Sequence, residues 1–383
     1  MTDHPADQSG SRPAGLSTGA AADRPPGPGP DPASPTSPVM VAARIENCGR
    51  PPVVADGSSP VPGAGQELVR VLAAPITPLD LLCASGTSYF GTPALPYVPG
   101  VQGVGSVDGR LVWFPTAAGM AAGDGSMAEL ALVRAEDLVD LPAGADPYAM
   151  AALGLSAVAA YLALTWRGEL ARGEQVLVLG GGGVVGQAAI QLARLAGARR
   201  VVAAARSERG RQRARWAGAD AVVPLGPVTS ADDPPVSPQA VTADPRATPE
   251  AVAREVEELA RRLAAACDGP VDLVLDPLFG VPAAAAARTL RNGGRLVNLG
   301  GSASETCPLD SATLRSRSLR LLGYTNNELT REQRAAAITY VAQQSAAGRL
   351  RVEHEVMPLA EAADAWRRQA AGTAKGRIVL RTG

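Results

Sequence analysis

The sequence predicts an α/β protein in two parts, a β-rich unit and a doubly wound parallel sheet. Three observations carry that reading. Residues Gln175–Ala198 run strand, glycine turn, helix. From Ala149 onward, helical and strand-like apolar patterns alternate, as in a sheet covered by helices on both faces. From Glu67 to Asp140, short strand-like runs (LVRVLAA, GVGSVDG, RLVWFP, AELALV) are broken by glycine and proline, the pattern of an all-β, barrel-like unit.

Gln175–Leu179 is expected as a strand, because Val176–Leu179 is a short apolar run suited to a buried parallel strand. Gly180–Gly183 follow, then Val184, Val185 and Gly186, so that Gly181, Gly183 and Gly186 satisfy G-x-G-x-x-G. Val185, Ala188, Ala189, Leu192 and Leu195 then recur at helical spacing. A turn without Cβ atoms can pass close to a pyrophosphate, and the helix start offers free N–H groups to phosphate. The segment therefore reads as a dinucleotide site built on Gly181, Gly182, Gly183, Val184, Val185 and Gly186. Further strands are expected at Arg200–Ala205, Ala221–Pro224, Val271–Asp276, Gly294–Leu299 and Leu319–Gly323. Helices are expected at Glu250–Ala266, Thr330–Ala347 and Leu359–Ala371, and closing strands at Arg351–Val356 and Gly376–Arg381. Residues 1–38, rich in Pro, Gly, Ala, Ser and Asp, read as a disordered tail, and 227–248 as a mobile insertion. Ordered structure starts at Val39–Ile45.

The chain has 383 residues, enough for a large core, and a net charge of -1, which offers no field for nucleic acid or an anionic membrane. Its four cysteines, Cys48, Cys83, Cys267 and Cys307, form no C-x-x-C pair, so neither a disulfide framework nor a cysteine-rich zinc lobe is indicated. A reducing cytoplasm fits this usage. Ala149–Trp166 is uncharged and nearly long enough to span a bilayer, but its alanine content suits a buried helix better.

Six segments, taken together with the glycine turn, resemble the medium-chain dehydrogenase/reductase superfamily, and within it the zinc-independent quinone oxidoreductases. They are PITPLDLLCASG (75–86), LPYVPGVQGVGSV (95–107), AALGLSAVAAYLAL (151–164), the Gly180–Gly186 turn, GADAVV (218–223) and RNGGRLVNLGG (291–301). The resemblance implies a GroES-like catalytic domain at 39–149 and 325–383, split around a Rossmann domain at 150–324. It also implies hydride transfer from NADPH to a quinone or an α,β-unsaturated carbonyl. Zinc-dependent members carry a cysteine where this chain has Thr77 and a His-Glu pair where it has Val101-Gln102. The only histidines are His4 and His354, so the usual three ligands are missing and no metal is expected.

NAD-preferring sites carry an acid at the end of the second strand, to bind the ribose 2′-hydroxyl. That position falls at Ala205, with Arg206, Ser207, Arg209 and Arg211 following. Guanidinium groups suit a 2′-phosphate, so NADPH is favoured, with Arg206, Ser207 and Arg211 as candidate contacts. Leu299, Gly300 and Gly301 would let the backbone approach the nicotinamide carboxamide, and Asn326 follows the last parallel strand near that cleft. The threonine that touches the cofactor in relatives is Ala159 here.

The catalytic candidates are Tyr89, Thr77 and Asp80. Tyr89 has the spacing of the family's active-site tyrosine and could polarise a carbonyl oxygen. Thr77 could donate to a substrate oxygen, or simply occupy a turn before Pro78. Asp80 reads more readily as a helix cap than as an acid. Two other functions remain open, a zinc-independent alcohol dehydrogenase-like enzyme and a non-catalytic NADPH-binding regulator. The family's habit of pairing its last parallel strand implies a homodimer through Leu319–Gly323.

Overall fold

A computed structural model describes residues 39–226 and 248–383, so the expectations for 1–38 and for nearly all of 227–248 lie outside the described residues. The first half contains strands β1 (Val39–Arg44), β2 (Val53–Ser58), β3 (Gln66–Pro75), β4 (Gln102–Val107), β5 (Arg110–Pro115), β6 (Leu130–Arg134) and β7 (Val139–Asp140). Helix α1 (Pro78–Ser85) lies between β3 and β4. Helix α2 (Pro147–Leu162) opens the second half and ends in a widened π turn, Ala163–Arg167. Then come β8 (Gln175–Leu179), α3 (Val184–Leu195), β9 (Arg200–Ala205), α4 (Glu208–Trp216), β10 (Ala221–Pro224), α5 (Pro249–Ala266) and β11 (Val271–Asp276). The chain closes with α6 (Gly280–Ala287), β12 (Leu290–Asn298), α7 (Ser311–Ser316), β13 (Arg320–Gly323), α8 (Arg331–Ala346), β14 (His354–Pro358), α9 (Ala362–Ala370) and β15 (Arg377–Arg381).

The predicted strands β8, β9, β10 and β11 match residue for residue. β12 begins four residues earlier than expected, at Leu290, because Leu290 pairs with Val271 across a bulge. β14 begins at His354, three residues late. The parallel sheet has the order β10-β9-β8-β11-β12-β13, with connections running outward in both directions from β8. The second large sheet has the order β14-β15-β3-β4-β5-β7, with β6 on β3. β15 thus brings the end of the chain back beside the first half, antiparallel to β3.

Side chains alternate across the parallel sheet, as the strand period requires. Val176, Val178, Val201, Ala203, Leu273 and Leu275 face α2, α3 and α8. Leu177, Leu179, Val202, Ala204 and Val274 face α5 and α6. A separate core fills the barrel sheet around Ile45, Ile76, Phe114 and Met127. The segment Pro147–Arg167 has the length and hydropathy to cross a membrane, yet in the fold it is a core helix: Met150–Gly154 and Ala157–Ala160 are buried. It packs against α3 and α8 on one side and against β3, β4 and β15 on the other, so both halves share it.

Asp137 adds a polar tie between the halves. Its carboxylate receives hydrogen bonds from Arg134 (2.8 Å), Arg331 (3.2 Å) and Arg334 (2.8 Å), the last two on α8. Burial alone would raise its pKa, but the arginines outweigh burial and hold it below the usual 3.8. A depressed carboxylate stabilises the fold above its unfolded pKa, and that contribution is lost as pH falls through the folded value. Asp137→Asn is therefore expected to cost about 1.5–3 kcal/mol in urea unfolding at pH 7. The penalty should shrink as the pH drops below 3.8; an equal penalty at both pH values would contradict the assignment.

Candidate active site and dinucleotide crevice

The parallel strands end together at Leu179, Ala205, Asp276 and Asn298, and the topology reverses between β8 and β11. Ligands of doubly wound sheets sit at such a switch point. The glycine turn lies there. Gly183 caps α3 without a side chain, and the first helical hydrogen bond runs from Gln187 N–H to Gly183 C=O, which leaves the first-turn amides free. Gln187 also clamps the turn, donating from Nε2 to Gly182 C=O (3.1 Å), and its Oε1 accepts from Glu353 N–H (3.3 Å).

The glycines divide by what surrounds them. A Cβ on Gly186 would overlap the Gly180 carbonyl, and one on Gly182 would overlap the backbone of Gly210. Those two exist for packing. Gly183 is exposed, has ordinary φ, and a Cβ there would meet only Gly180 C=O at 3.4 Å, a normal contact. The protein leaves room for a side chain at Gly183 and does not use it, as a cradle for a bound backbone-hugging group requires. Gly183→Val is therefore expected to keep the melting temperature and lose dinucleotide binding. Gly186→Ala should instead destabilise by about 1–3 kcal/mol or more, through overpacking. Thermal melting with a nucleotide titration checks both, and tight binding by folded Gly183→Val would remove the turn from the site.

At the end of β9 the expected arginines separate. Arg206 is exposed. Arg211 is buried, 6% exposed, and committed: it donates to Arg206 C=O (2.7 Å) and to Glu208 (2.9 Å). Its guanidinium is not turned to a ligand, which corrects the expectation for Arg211. Glu208, which the sequence reading overlooked, also holds Arg215 (3.0 Å), and these arginines depress its pKa. The Ser207 Oγ accepts from Gly210 N–H as the cap of α4.

The loops after β11 and β12 are stitched together. Asn298 Nδ2 donates to the Asp276 carboxylate (2.9 Å) and to Gly300 C=O (2.9 Å), and Leu299 N–H donates to Asp276 C=O (2.9 Å). Asp276 is fully buried, and desolvation raises its pKa. A Cβ on Gly300 would press on Pro277 C=O at 3.1 Å, so this glycine also serves packing, whereas one on Gly301 would meet only the carboxylate of Glu305, an exposed side chain with room to move. Asn326 turns inward: Nδ2 donates to Leu155 C=O (3.1 Å) and Oδ1 accepts from the Tyr324 hydroxyl (2.7 Å). Both groups of its amide are engaged with protein.

Thr77 and Asp80 form a closed capping box on α1. Asp80 Oδ2 accepts from Thr77 N–H (2.8 Å) and Oγ1 (2.6 Å), and Oδ1 from Gly100 N–H (3.0 Å) and Val101 N–H (2.9 Å). Burial pushes the Asp80 pKa up, while these hydrogen bonds and nearby Arg377 pull it down. Arg377, buried and lowered to about 10 by desolvation, donates to Ile76 C=O (2.9 Å) and Ser156 Oγ (3.1 Å). With its hydroxyl proton given to Asp80, Thr77 has none for a substrate, so the geometry redirects both residues from chemistry to positioning. Tyr89 is 76% exposed and packs on Phe90, with centroids 4.3 Å apart.

Gln102 carries a role that only the fold reveals. Inside α2, Gly154 departs from helical geometry (φ 29, ψ -131). Gln102 Oε1 fills the break, accepting from Leu155 N–H (2.8 Å) and Trp113 Nε1–H (3.0 Å). Among the described residues no three His, Cys, Asp or Glu side chains converge as a metal site would need.

A family model described as zinc-binding dehydrogenase matches residues 248–380, downstream of Thr77 and Gln102. A quinone oxidoreductase of Lama guanicoe is 34% identical over 165 residues, covering 41% of this chain and 50% of that one. The chain spans about half the length of the first curated relatives it matches. A quinone oxidoreductase of Sus scrofa is 28% identical over 315 residues, covering 78% of this chain and 85% of that one. Among solved structures, a quinone oxidoreductase of Thermus thermophilus, described also in complex with NADPH, has a TM-score of 0.68 at 28% identity. It covers 89% of this chain and 100% of that one.

Proposed function

The chain belongs to the quinone oxidoreductase-like medium-chain dehydrogenases/reductases, and from that premise we propose that it reduces a quinone or an α,β-unsaturated carbonyl with NADPH, without zinc. The observation that carries the proposal is the glycine turn at the switch point, with room kept open at Gly183 and the first amides of α3 unpaired. When bound, NADPH supplies a hydride. The free amides of α3 would hold its pyrophosphate, and Leu299–Gly301 would hold its nicotinamide end. We assign the cofactor part to 150–324 and the acceptor part to 39–149 and 325–383. The cysteine and His-Glu positions of zinc-dependent members hold Thr77 and Val101-Gln102, and these are occupied by a capping box and a helix break. Without a Lewis acid, hydride addition to a conjugated carbon is easier than oxidation of an unactivated alcohol.

We assign Arg206, exposed just after β9, to the 2′-phosphate, and Ser207 Oγ, while it caps α4, still has its own proton to donate. Tighter binding of NADPH than of NADH is expected by fluorescence titration, and Arg206→Ala should narrow the difference. Equal affinities in the unsubstituted protein would reverse the choice of cofactor. β13 is an edge strand with Leu321 42% exposed, which suits pairing with a second copy as a homodimer.

Tyr89 remains the proposed donor to the acceptor oxygen. A hydroxyl that meets charge developing on oxygen acts on the transition state more than on the ground state. In an exposed cleft, where water substitutes, Tyr89→Phe should slow single-turnover NADPH oxidation about tenfold with cofactor affinity unchanged. An unchanged rate would return Tyr89 to packing on Phe90.

A further inference from the structure

Ser156 sits where the buried helix α2 opens. From Met150 to Ala160 that helix is buried except at Leu155 and Ser156, the two residues after the break at Gly154. The break decides what the serine can do. A hydroxyl inside a regular helix commonly gives its proton to the carbonyl four residues back, as Thr165 does to Tyr161 C=O (2.8 Å). Ser156 makes no such bond. Among the described residues its Oγ has one hydrogen-bond partner, the Arg377 guanidinium, whose Nη2 donates to it (3.1 Å). The Ser156 Oγ thus accepts from a cation and keeps its own proton to give.

The neighbours of Ser156 locate it. Leu155 C=O, one residue earlier, accepts from Asn326 Nδ2 (3.1 Å), and Asn326 lies just past the end of β13. β13 ends in register with β12, Gly323 beside Asn298, so Leu299–Gly301 begins at the same level of the sheet. From the other half of the fold, Arg377 also donates to Ile76 C=O (2.9 Å), next to Thr77 at the start of α1. Ser156 therefore stands between the carboxyl ends of the parallel strands and the barrel half, where a hydride donor and its acceptor meet. Arg377 is buried, and the carboxylate that faces it, Asp80, is itself spent on Thr77, Gly100 and Val101.

We infer that Ser156 is a further catalytic residue: its hydroxyl donates to the carbonyl oxygen of the acceptor, and Arg377, behind it, is a positioning residue. When hydride reaches the conjugated carbon, the electron pairs shift along the enone or quinone and negative charge gathers on the carbonyl oxygen. The proton that completes the product comes from water, and Ser156 keeps its own. A hydroxyl that already accepts from a cation is a stronger donor, because chained hydrogen bonds polarise one another. Its bond to the oxygen strengthens as the charge grows, so it acts on the transition state more than on the ground state. A carbonyl oxygen has two lone pairs, so this role adds to the one proposed for Tyr89. The inference rests on the proposed reaction, which supplies the oxygen.

The test uses the full chain with NADP+ and 4-nitrophenol, whose anion absorbs visible light and carries its charge on a ring oxygen. The unsubstituted protein should bind the anion in preference to the neutral phenol. Ser156→Ala should weaken the anion about a hundredfold and leave the neutral phenol and NADP+ nearly as tight. Ser156→Thr, which keeps a hydroxyl, should recover most of that loss. Single-turnover enone reduction by Ser156→Ala should slow by a similar factor with NADPH affinity unchanged. Equal anion affinity in the unsubstituted protein and Ser156→Ala would overturn the inference, as would no anion binding to the unsubstituted protein. Joint loss of NADP+ and both forms of the phenol would also overturn it, by showing that Ser156 only holds Arg377 in the fold. Anion bound through Ser156 without turnover of any enone or quinone sinks the proposed reaction alone. Turnover with equal anion affinity in both proteins sinks this inference alone.

Discussion

The arrangement of the two halves depends on one side-chain amide at a break in a shared helix. The helix Pro147–Leu162 is packed on both sides, and an uninterrupted helix would bury no unpaired backbone group. The break at Gly154 frees the Leu155 N–H inside the protein, where an unpaired amide costs about 1–3 kcal/mol. Gln102 Oε1 accepts it, and takes Trp113 Nε1–H as well. A Cβ at Gly154 would occupy the place of that amide, so glycine and glutamine are mutually required. The Leu155 carbonyl is met from the opposite side by Asn326.

Around this point the buried polar groups form one connected set. Ser156, next in the helix, accepts from Arg377 on the last strand, and Arg377 also holds the Ile76 carbonyl and faces Asp80. Asp80 spends both oxygens on Thr77, Gly100 and Val101, immediately before Gln102. Buried ionised groups persist only when such partners surround them. Thr77, Asp80 and Gln102 are here used to join helix, strand and loop, which is why Thr77 and Asp80 fit positioning better than proton transfer.

The dinucleotide crevice follows another logic. Its glycines and amides are distinguished by what they leave unfilled, whereas its polar side chains are largely spent on the protein. Arg211 and Glu208 satisfy one another, Asn298 ties two loop ends together, and Gln187 anchors the turn to Glu353. The exposed groups are Arg206 after β9 and Gly183 at the cap of α3, and the amides that follow Gly183 have no backbone partner, the kind of helix start that favours an anion.

The amino-acid sequence by itself determined the parallel sheet, because the strands Gln175–Leu179, Arg200–Ala205 and Val271–Asp276 are local runs whose apolar content follows from burial on both faces. It determined the glycine turn for the same reason, since strand, turn and helix are contiguous. It also carried the family resemblance, in motifs read along the chain. Tertiary structure alone decided which polar residues are free. Gln102 meets Leu155 across 53 positions, Arg377 meets Ile76 across 301, and Asn326 meets Leu155 across 171. Arg211 lies on α4 within reach of Glu208, whereas Arg206 precedes the Ser207 cap and stays exposed. A hydrogen bond depends on distances of about 3 Å between groups that the chain brings together only on folding. Local pattern can therefore name a residue's chemistry, but the partner that uses it up comes from elsewhere in the chain.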